Sequence, residues 1–293
     1  MEIVPFLGRE RNARVVSGEA ELLVTLDVGP RILSFGTTGG PNLLFTIAED
    51  EGHQGGEEYR FYGGHRLWIA PEEPVRTMQP DNDPVEYYIE AATHRFVTGP
   101  DKNHVSKELR ITTLGDERFR VEHLVTNHGP YAVELAAWAP TQMLPGQVVF
   151  PQAPFQPHTE NLLPTRPLVL WAYTKLGDSR WSWGDRIVRL TQDTAKGPTK
   201  VGSFISQGYA AYEGQGSVFV KRWHSPQGNY PDFGCNFETF TNEAMIEIES
   251  LGPMVSLPTG GFTSHVEEWR LYPGETLPAD DEACAERLAF LAA

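Results

Sequence analysis

Alternation of apolar and polar residues is strongest in the middle of the chain. Residues 107–114 (KELRITTL) and 119–126 (FRVEHLVT) place mostly apolar side chains at every second position, with a Gly-Asp-Glu turn between them. Because successive side chains of a β-strand point to opposite faces, this pattern predicts an antiparallel hairpin. His123 shares its parity with two valines, which favours a histidine satisfied in the core. Residues 207–212 and 217–223 predict a second hairpin around a Gly-rich turn.

Shorter apolar runs predict further strands, and turns rich in glycine or proline separate them. These runs are 21–27, 31–35, 85–89, 94–97, 132–138, 168–173, 186–190, 201–205, 244–250 and 265–272. Residues 140–167 hold seven prolines and are predicted to be irregular, with no helix and no central strand. One helix is predicted from about Asp280, because Cys284, Leu288 and Leu291 form an apolar stripe at positions i, i+4 and i+7.

The composition also fits many short strands joined by turns. Glycine and proline number 28 and 23 among 293 residues, which is typical of turn-rich β-proteins. Neither a fixed repeat nor a linker divides the chain, so we expect a single all-β domain over residues 1–293 with a short C-terminal helix. A net charge of −15 argues against nucleic acid and against an anionic membrane surface as partners.

Three further features bear on cellular location. The opening residues MEIVPFLGRERNARVV lack a basic start followed by an apolar run, so we expect no signal peptide. No run approaches 18 consecutive apolar residues, so we expect no membrane-spanning segment. Cys235 and Cys284 are too few for a disulfide framework. Together these features predict a cytoplasmic protein.

Residues 60–72 (RFYGGHRLWIAPE) hold the densest group of candidate binding residues. The two adjacent glycines allow a tight turn or a close approach to a ligand. In an extended segment, His65 points to one face, and Arg66 and Trp68 point to the other. An indole wall beside a guanidinium fork suits a sugar or a carboxylate. The alternative is a structural loop whose Trp68 fills the core.

Four stretches together resemble the galactose mutarotase-like superfamily, in an uncharacterised branch related to the aldose 1-epimerases. They are LDVGPRILSF (26–35), YGGHRLWIAPE (62–72), TNHGPYAVELAAWAPTQM (126–143) and IEIESLGPMVSLPTGGFTSHVEEWRLY (246–272). The resemblance covers most of the chain. It implies a β-supersandwich of two large, mostly antiparallel sheets, with a carbohydrate-sized cleft on one face.

The resemblance also implies catalytic roles. Aldose 1-epimerases use a carboxylate as general base and histidines as acid, so that the sugar ring opens and recloses on either face. By motif, the base corresponds to Glu249 or, failing that, to Glu247. The acid corresponds to His65, and Arg66 or Arg31 would bind a substrate oxygen.

One departure from the family pattern favours an alternative. Aldose 1-epimerases carry a second histidine in mid-chain, whereas the matching residues 136–143 read AAWAPTQM. A non-catalytic carbohydrate-binding protein would need only the cleft, with Trp68 and Trp138 as walls for the sugar.

Late in the chain, His265 and Glu267 share one face of a predicted strand and are expected to line the cleft. With His65 they would form the ligand set of a third candidate, a metal-dependent enzyme. The leading hypothesis is an aldose 1-epimerase-like isomerase with a small-molecule sugar or sugar derivative as its partner. We predict no cofactor and no bound metal.

Overall fold

Within residues 2–293, which the computed structural model describes, the chain forms two sheets of 12 and 10 strands. In chain order the strands are β1 (Glu2–Phe6), β2 (Arg9–Ser17), β3 (Ala20–Thr25), β4 (Arg31–Thr37), β5 (His65–Arg66), β6 (Trp68–Ala70), β7 (Glu86–Glu90), β8 (Thr93–Val97), β9 (Val105–Gly115), β10 (Arg118–Asn127), β11 (Val133–Met143), β12 (Gln147–Pro151), β13 (Val169–Leu170), β14 (Trp181–Trp183), β15 (Ile187–Thr191), β16 (Thr199–Ser203), β17 (Tyr209–Gly214), β18 (Ser217–Trp223), β19 (Phe237–Thr241), β20 (Ile246–Leu251), β21 (Val255–Leu257) and β22 (Phe262–Pro273). The helices are α1 (Pro74–Thr77), α2 (Pro231–Gly234) and α3 (Asp281–Leu291), and a 3-10 turn spans Ala48–Asp50.

Both sheets are built from antiparallel neighbours. The first sheet runs in the order β1-β2-β3-β4-β5-β11-β20-β19-β16-β13, and β6 and β21 also pair with β11. The second sheet runs in the order β14-β15-β12-β17-β18-β22-β10-β9-β8-β7. Both predicted hairpins are present, as β9–β10 and β17–β18.

The core lies between the two sheets. Phe35 of the first sheet packs with its ring centroid 4.9 Å from Phe219 and 5.3 Å from Trp269, both of the second sheet. All three rings are fully enclosed. Burial of such aromatic surface is the main stabilising contribution in a two-layer β-fold. Trp269 therefore serves the core and is not available as a wall for a ligand.

The predicted C-terminal helix is present as α3. Asp280 caps it, since its side chain accepts a hydrogen bond from Ala283 N at 2.9 Å. Cys284, Leu288 and Leu291 are buried against the outer face of the second sheet. The apolar stripe thus seals one part of that sheet from solvent. Among residues 2–293, no helix has the length and apolar character that crossing a membrane requires.

The glycine pair before β5 makes a close approach that no other residue type allows. Gly63 and Gly64 have φ values of +88° and +74°, in the region that favours glycine. A Cβ atom on Gly63 would lie 2.3 Å from Phe45 O, and one on Gly64 would lie 2.2 Å from Ile32 O. The tight turn lets β5 enter the first sheet between β4 and β11.

The prediction for residues 140–167 is wrong at its start. Strand β11 continues through Pro140 to Met143 between β5 and β20, and β12 lies inside the second sheet. Pro140 is tolerated because its nitrogen points to the same side as Gln142 N, which donates to Gly64 O at 3.0 Å. On that side, pairing is interrupted between β5 and β6. The missing N–H therefore coincides with this gap in the ladder.

Candidate functional site

Strands β5, β6, β11 and β20 form a wall with two different faces. Trp138 lies opposite Trp68 across the β6–β11 pair, and Thr141 lies opposite His65 across the β5–β11 pair. Side chains of even number on β11 face away from the second sheet, and those of odd number face towards it. Arg66 therefore shares the outer face with both tryptophans, and His65 points into the space between the sheets.

The outer face of this wall carries a cleft of about 390 Å³. Its lining combines aromatic, aliphatic and charged side chains. The lining residues are Phe45, Ile47, Phe61, Arg66, Trp68, Glu72, Met78, Trp138, Gln142, Tyr173, Lys200, Phe240, Asn242, Ala244, Met245 and Glu247. Such a mixture of apolar walls and a few polar groups is common in small-molecule sites.

Arg66 and the two tryptophans pack together on the cleft. The Arg66 guanidinium lies 3.9 Å from the centroid of the Trp68 ring, and the Trp68 and Trp138 rings lie 5.0 Å apart. Arg66 Nη1 also donates to Phe61 O at 3.2 Å. Stacking on Trp68 holds the guanidinium in one orientation beside the cleft.

Glu247 is the carboxyl group best placed for proton transfer in the cleft. Gln142 Nε2 donates to its Oε1 at 2.8 Å, and Arg66 Nη2 lies 3.7 Å from the same oxygen. Burial, together with the nearby charge of Glu249, raises the pKa of Glu247 to about 7, against the opposing influence of Arg66. Near neutral pH this carboxyl can both accept and donate a proton.

Glu249 points to the same face but lies beneath the lining. It is fully buried, and its Oε2 accepts from Trp138 Nε1 at 2.7 Å and from Lys200 Nζ at 3.2 Å. Lys200 also contacts Glu238 Oε2 at 2.6 Å. Burial alone would lower the pKa of Lys200, but the two carboxylates raise it well above its ordinary value. Glu249 thus orients a tryptophan and a lysine that do line the cleft.

His65 belongs to a polar network between the sheets. Its Nδ1 lies 2.8 Å from Thr141 Oγ1, and its Nε2 lies 2.7 Å from His123 Nε2. His123 Nδ1 in turn lies 3.0 Å from the carbonyl oxygen of His265. Burial lowers the pKa of His65 well below its ordinary value, and the neighbouring His123 adds to this effect. The imidazole is therefore neutral and fully engaged on the side away from the cleft.

A buried lysine from the second sheet completes this network. Lys221 Nζ donates to Thr141 Oγ1 at 2.7 Å and to the carbonyl oxygens of Ala139 and Ile248, each at 3.1 Å. It also pairs with Glu267 Oε1 at 2.9 Å. Lys221 therefore binds β11 and β20 on the face opposite the cleft, at residues that alternate with those lining the cleft.

Glu267 and His265 share a hydroxyl within the same network. Ser250 Oγ lies 2.6 Å from His265 Nε2 and 2.5 Å from Glu267 Oε1. Trp269 Nε1 donates to Glu267 Oε2 at 2.7 Å. Burial alone would raise the pKa of Glu267, but Lys221 and the two nearby histidines lower it below its ordinary value.

Three of these groups also have the spacing of a metal site. Ligand atoms of His65, His123 and Glu267 lie within 4.8 Å of one another. However, the two imidazoles already contact each other, and Lys221 holds Glu267 with a positive charge. This chemistry fits a closed hydrogen-bond network better than a cation site.

The residues predicted from sequence thus divide into two groups. Arg66, Trp68 and Trp138 come together on the cleft, whereas His65, His265 and Glu267 lie between the sheets. Arg31 is covered on the cleft side of the first sheet. Its Nη1 donates to the carbonyl oxygens of Phe61 and Gly63 at 2.8 and 2.9 Å, and its Nη2 bonds Asp81 at 2.6 Å.

Sequence reasoning missed several residues of the lining. Gln142 contacts Glu247 on the cleft, Lys200 contacts Glu249 beneath it, and Glu72 and Tyr173 line the same space. Gln142 shares its parity with Trp138 in the mid-chain motif, which was an available signal. Lys200 lies on β16, which reaches the cleft by pairing with β19. No pattern in the sequence around Lys200 indicates this position.

Comparison with solved structures finds neighbours over almost the whole chain. A galactose mutarotase-like protein from Lactobacillus casei ATCC 334 matches with a TM-score of 0.57 at 10% identity, covering 89% of this chain and 100% of that one. Another, from Clostridium acetobutylicum, matches with a TM-score of 0.54 at 11% identity, covering 93% and 98%. The chain has the galactose mutarotase-like fold. The Slr1438 protein from Synechocystis sp. PCC 6803 matches it with a TM-score of 0.59 at 11% identity, covering 93% and 100%.

The mutarotase-like fold was predicted from four short motifs and is confirmed over both sheets and the C-terminal helix. No protein-family model and no curated protein matches the sequence. The structural neighbours share so few residues with this chain that they establish its architecture alone. Any activity has to be argued from the cleft itself.

Proposed function

We propose that the cleft binds the ring of a small sugar and that the protein exchanges its anomers by proton transfer. The observation that carries the proposal is Glu247, a cleft carboxyl whose pKa is raised to about 7. Trp68 and Trp138 offer flat apolar walls to a sugar ring, and Arg66 offers donors to its oxygens. Structural neighbours that are galactose mutarotase-like proteins are consistent with a sugar as ligand.

The proposed reaction uses two cleft carboxyls. Ionised Glu247 takes the proton of the anomeric hydroxyl, the bond from C1 to the ring oxygen breaks, and protonated Glu72 gives its proton to that oxygen. Burial in the cleft lining raises the pKa of Glu72 above its ordinary value, against the opposing charge of Lys200. After rotation about the C1–C2 bond, both protons return as the ring recloses on the other face. Each carboxyl ends as it began.

This assignment revises the roles that the family motifs imply. Glu249 becomes a positioning residue, because it holds Trp138 and Lys200 beneath the cleft lining. His65 does not touch the sugar, because Thr141 and His123 engage both of its ring nitrogens on the other face of the wall.

The test is anomer exchange by proton NMR saturation transfer with a panel of neutral aldoses. Wild-type protein should accelerate exchange for at least one sugar, with a bell-shaped pH dependence, because the reaction needs Glu247 ionised and Glu72 protonated. Glu247→Gln should lower the rate by about 10²–10⁴-fold, the usual contribution of a general base. Glu243→Gln, at an exposed carboxyl outside the lining, is the matched control. Equal rates in wild type and Glu247→Gln would contradict the proposal.

A non-catalytic carbohydrate-binding protein is the second candidate. It is favoured by the position of His65, His123 and His265, which are all buried away from the cleft. In that case, calorimetry would detect sugar binding in the wild type, while anomer exchange would proceed at its uncatalysed rate. Loss of that binding in Trp138→Ala would assign it to the same cleft.

A further inference from the structure

The cleft changes character along β11. At the Trp138 end, the neighbours are Trp68 and Lys200, and the groups are aromatic and charged. At the Gln142 end, five apolar side chains surround Gln142, Asn242 and Glu247. We refer to Phe45, Ile47, Phe240, Ala244 and Met245 as the apolar end.

Strand register fixes the position of the apolar end. Phe45 N donates to Gln142 O at 2.9 Å. Phe240 lies opposite Glu247 across the β19–β20 pair, and Glu247 lies opposite Gln142 across the β11–β20 pair. Side chains on directly opposite residues of a sheet are within contact distance of each other. The apolar end therefore adjoins the carboxyl proposed to act on the sugar.

Several side chains of the apolar end remain open to solvent. Phe45, Ile47 and Phe240 are half-buried, and Ala244 is exposed, whereas core aromatics such as Phe35 are fully enclosed. Apolar side chains grouped on the lining of a cleft are a surface that an apolar part of a ligand can cover. The hydroxyl groups of an unsubstituted sugar would find few partners there.

The charges of the cleft argue against an anionic ligand. The Lys200 ammonium is already held by Glu238 and Glu249, and the Arg66 guanidinium lies 3.7 Å from Glu247. A phosphate or carboxylate would meet no uncompensated positive charge. It would also face Glu247, which the proposed reaction requires in its ionised form, and like charges in a partly buried site repel strongly.

From these observations we infer that the ligand is an uncharged sugar that carries an apolar acyl or aryl substituent away from the anomeric carbon. The substituent lies on the apolar end, and the ring lies between the tryptophans and Glu247. The anomeric carbon stays free because the proposed exchange acts on its hydroxyl. This inference rests on the proposed function and specifies the class of its substrate.

The test is isothermal titration calorimetry with matched pairs of sugars. Glucose, galactose and mannose are each compared with their 6-O-octanoyl ester, below the concentration at which the esters form micelles, and with their 6-phosphate. For at least one sugar the ester should bind about tenfold or more tightly than the parent, as expected for burying a short hydrocarbon chain. The 6-phosphates should bind no more tightly than the parent sugars.

Two variants locate the effect. Phe240→Ala should reduce the ratio of ester affinity to parent affinity at least about threefold, because it removes a large apolar side chain from the apolar end. Phe262→Ala, at an exposed phenylalanine of the second sheet, should keep the wild-type ratio. An unchanged ratio in Phe240→Ala would overturn the inference, since the octanoyl group of the ester would then bind elsewhere.

The outcomes separate the inference from the proposed function. If a parent sugar binds and its ester binds no more tightly, the inference fails and the proposed function stands. If neither parents nor esters bind, both fail. Monooctanoylglycerol carries the same chain without a sugar ring. If it binds as tightly as the esters, the ligand is not a sugar, and both fail again.

Discussion

At the scale of single residues, Glu247 and Glu249 differ in environment although they are two positions apart on one strand face. Glu247 contacts Gln142 and adjoins open space, and its pKa is raised to about 7. Glu249 is enclosed between Trp138 and Lys200. One carboxyl therefore lines the cleft, and the other fixes side chains that line it.

The glycine pair before β5 allows a prediction at this scale. Gly64→Ala should destabilise the protein by more than the roughly 1–2 kcal/mol that a left-handed backbone costs an alanine, because the added Cβ would also lie 2.2 Å from Ile32 O. Urea unfolding measures the difference. Gly260→Ala is the matched control, since Gly260 has a φ of +75° and no atom within 4 Å of its added Cβ. Equal losses in the two variants would show that the close approach does not matter.

Sequence parity separated His65 from Arg66 and Trp68 correctly, because alternation along a strand is a local property. Parity alone does not say which face meets the cleft and which meets the core. That depends on the second sheet, whose His123 and Lys221 cover the side on which His65 lies. The catalytic role of His65 stays a prediction from the motif, which carries no information on these surroundings.

At the scale of elements, β11 and β20 are held on one face by side chains from the second sheet. Lys221 of β18 bonds the backbone of both strands and pairs with Glu267 of β22. Removing one member of a buried ion pair strongly destabilises a protein, because the other charge stays buried without a partner. The Lys221–Glu267 pair is therefore suited to testing how the two sheets are joined.

Lys221→Met should destabilise the protein by about 3–5 kcal/mol, because it leaves Glu267 buried with an uncompensated charge. The double variant Lys221→Met/Glu267→Gln should regain a large part of that loss. Denaturant unfolding of wild type, both single variants and the double variant gives the coupling between the two residues. Additive losses in the double variant would rule out the pairing.

Element prediction succeeded where alternation was long and failed where pairing was set from a distance. The β9–β10 and β17–β18 hairpins are local, and their turns are visible in the sequence. Strands β5 and β6 are too short to show a period, and Pro140 reads as a strand breaker. Its place in β11 depends on the interruption between β5 and β6, which a local reading of the chain does not reveal.

At the scale of the whole molecule, the space between the sheets holds several neutral imidazoles. Burial lowers the pKa of His65, His123 and His265, in the last case to about 3. A histidine with a native pKa below its ordinary value of 6.5 contributes stability that is fully present above pH 6.5 and is lost as the pH falls. In this pH range the histidines bind protons in the unfolded chain but not in the native state.

On acidification from about pH 6.5 to pH 5, each such histidine should lower the free energy of unfolding with a slope of up to about 1.4 kcal/mol per pH unit. Glu238 and Glu247, whose pKa values are raised to about 8 and 7, act in the opposite direction, so the contribution of one histidine is measured as a difference between variants. His265→Gln should show a shallower slope than the wild type by about one proton. His158→Gln, at a side chain exposed in the native state, is the matched control. Denaturant unfolding at several pH values gives the slopes, and identical slopes in wild type and His265→Gln would remove His265 from this account.

The alternation along β11 has a consequence for how such a protein can diverge. Trp138 and Gln142 meet the ligand space, while the interleaved Ala139 and Thr141 meet Lys221. A descendant could acquire a new ligand by substitutions at every second position and keep the intervening residues that join the sheets. Residues that maintain the scaffold and residues that could change ligand specificity thus alternate along the same strand.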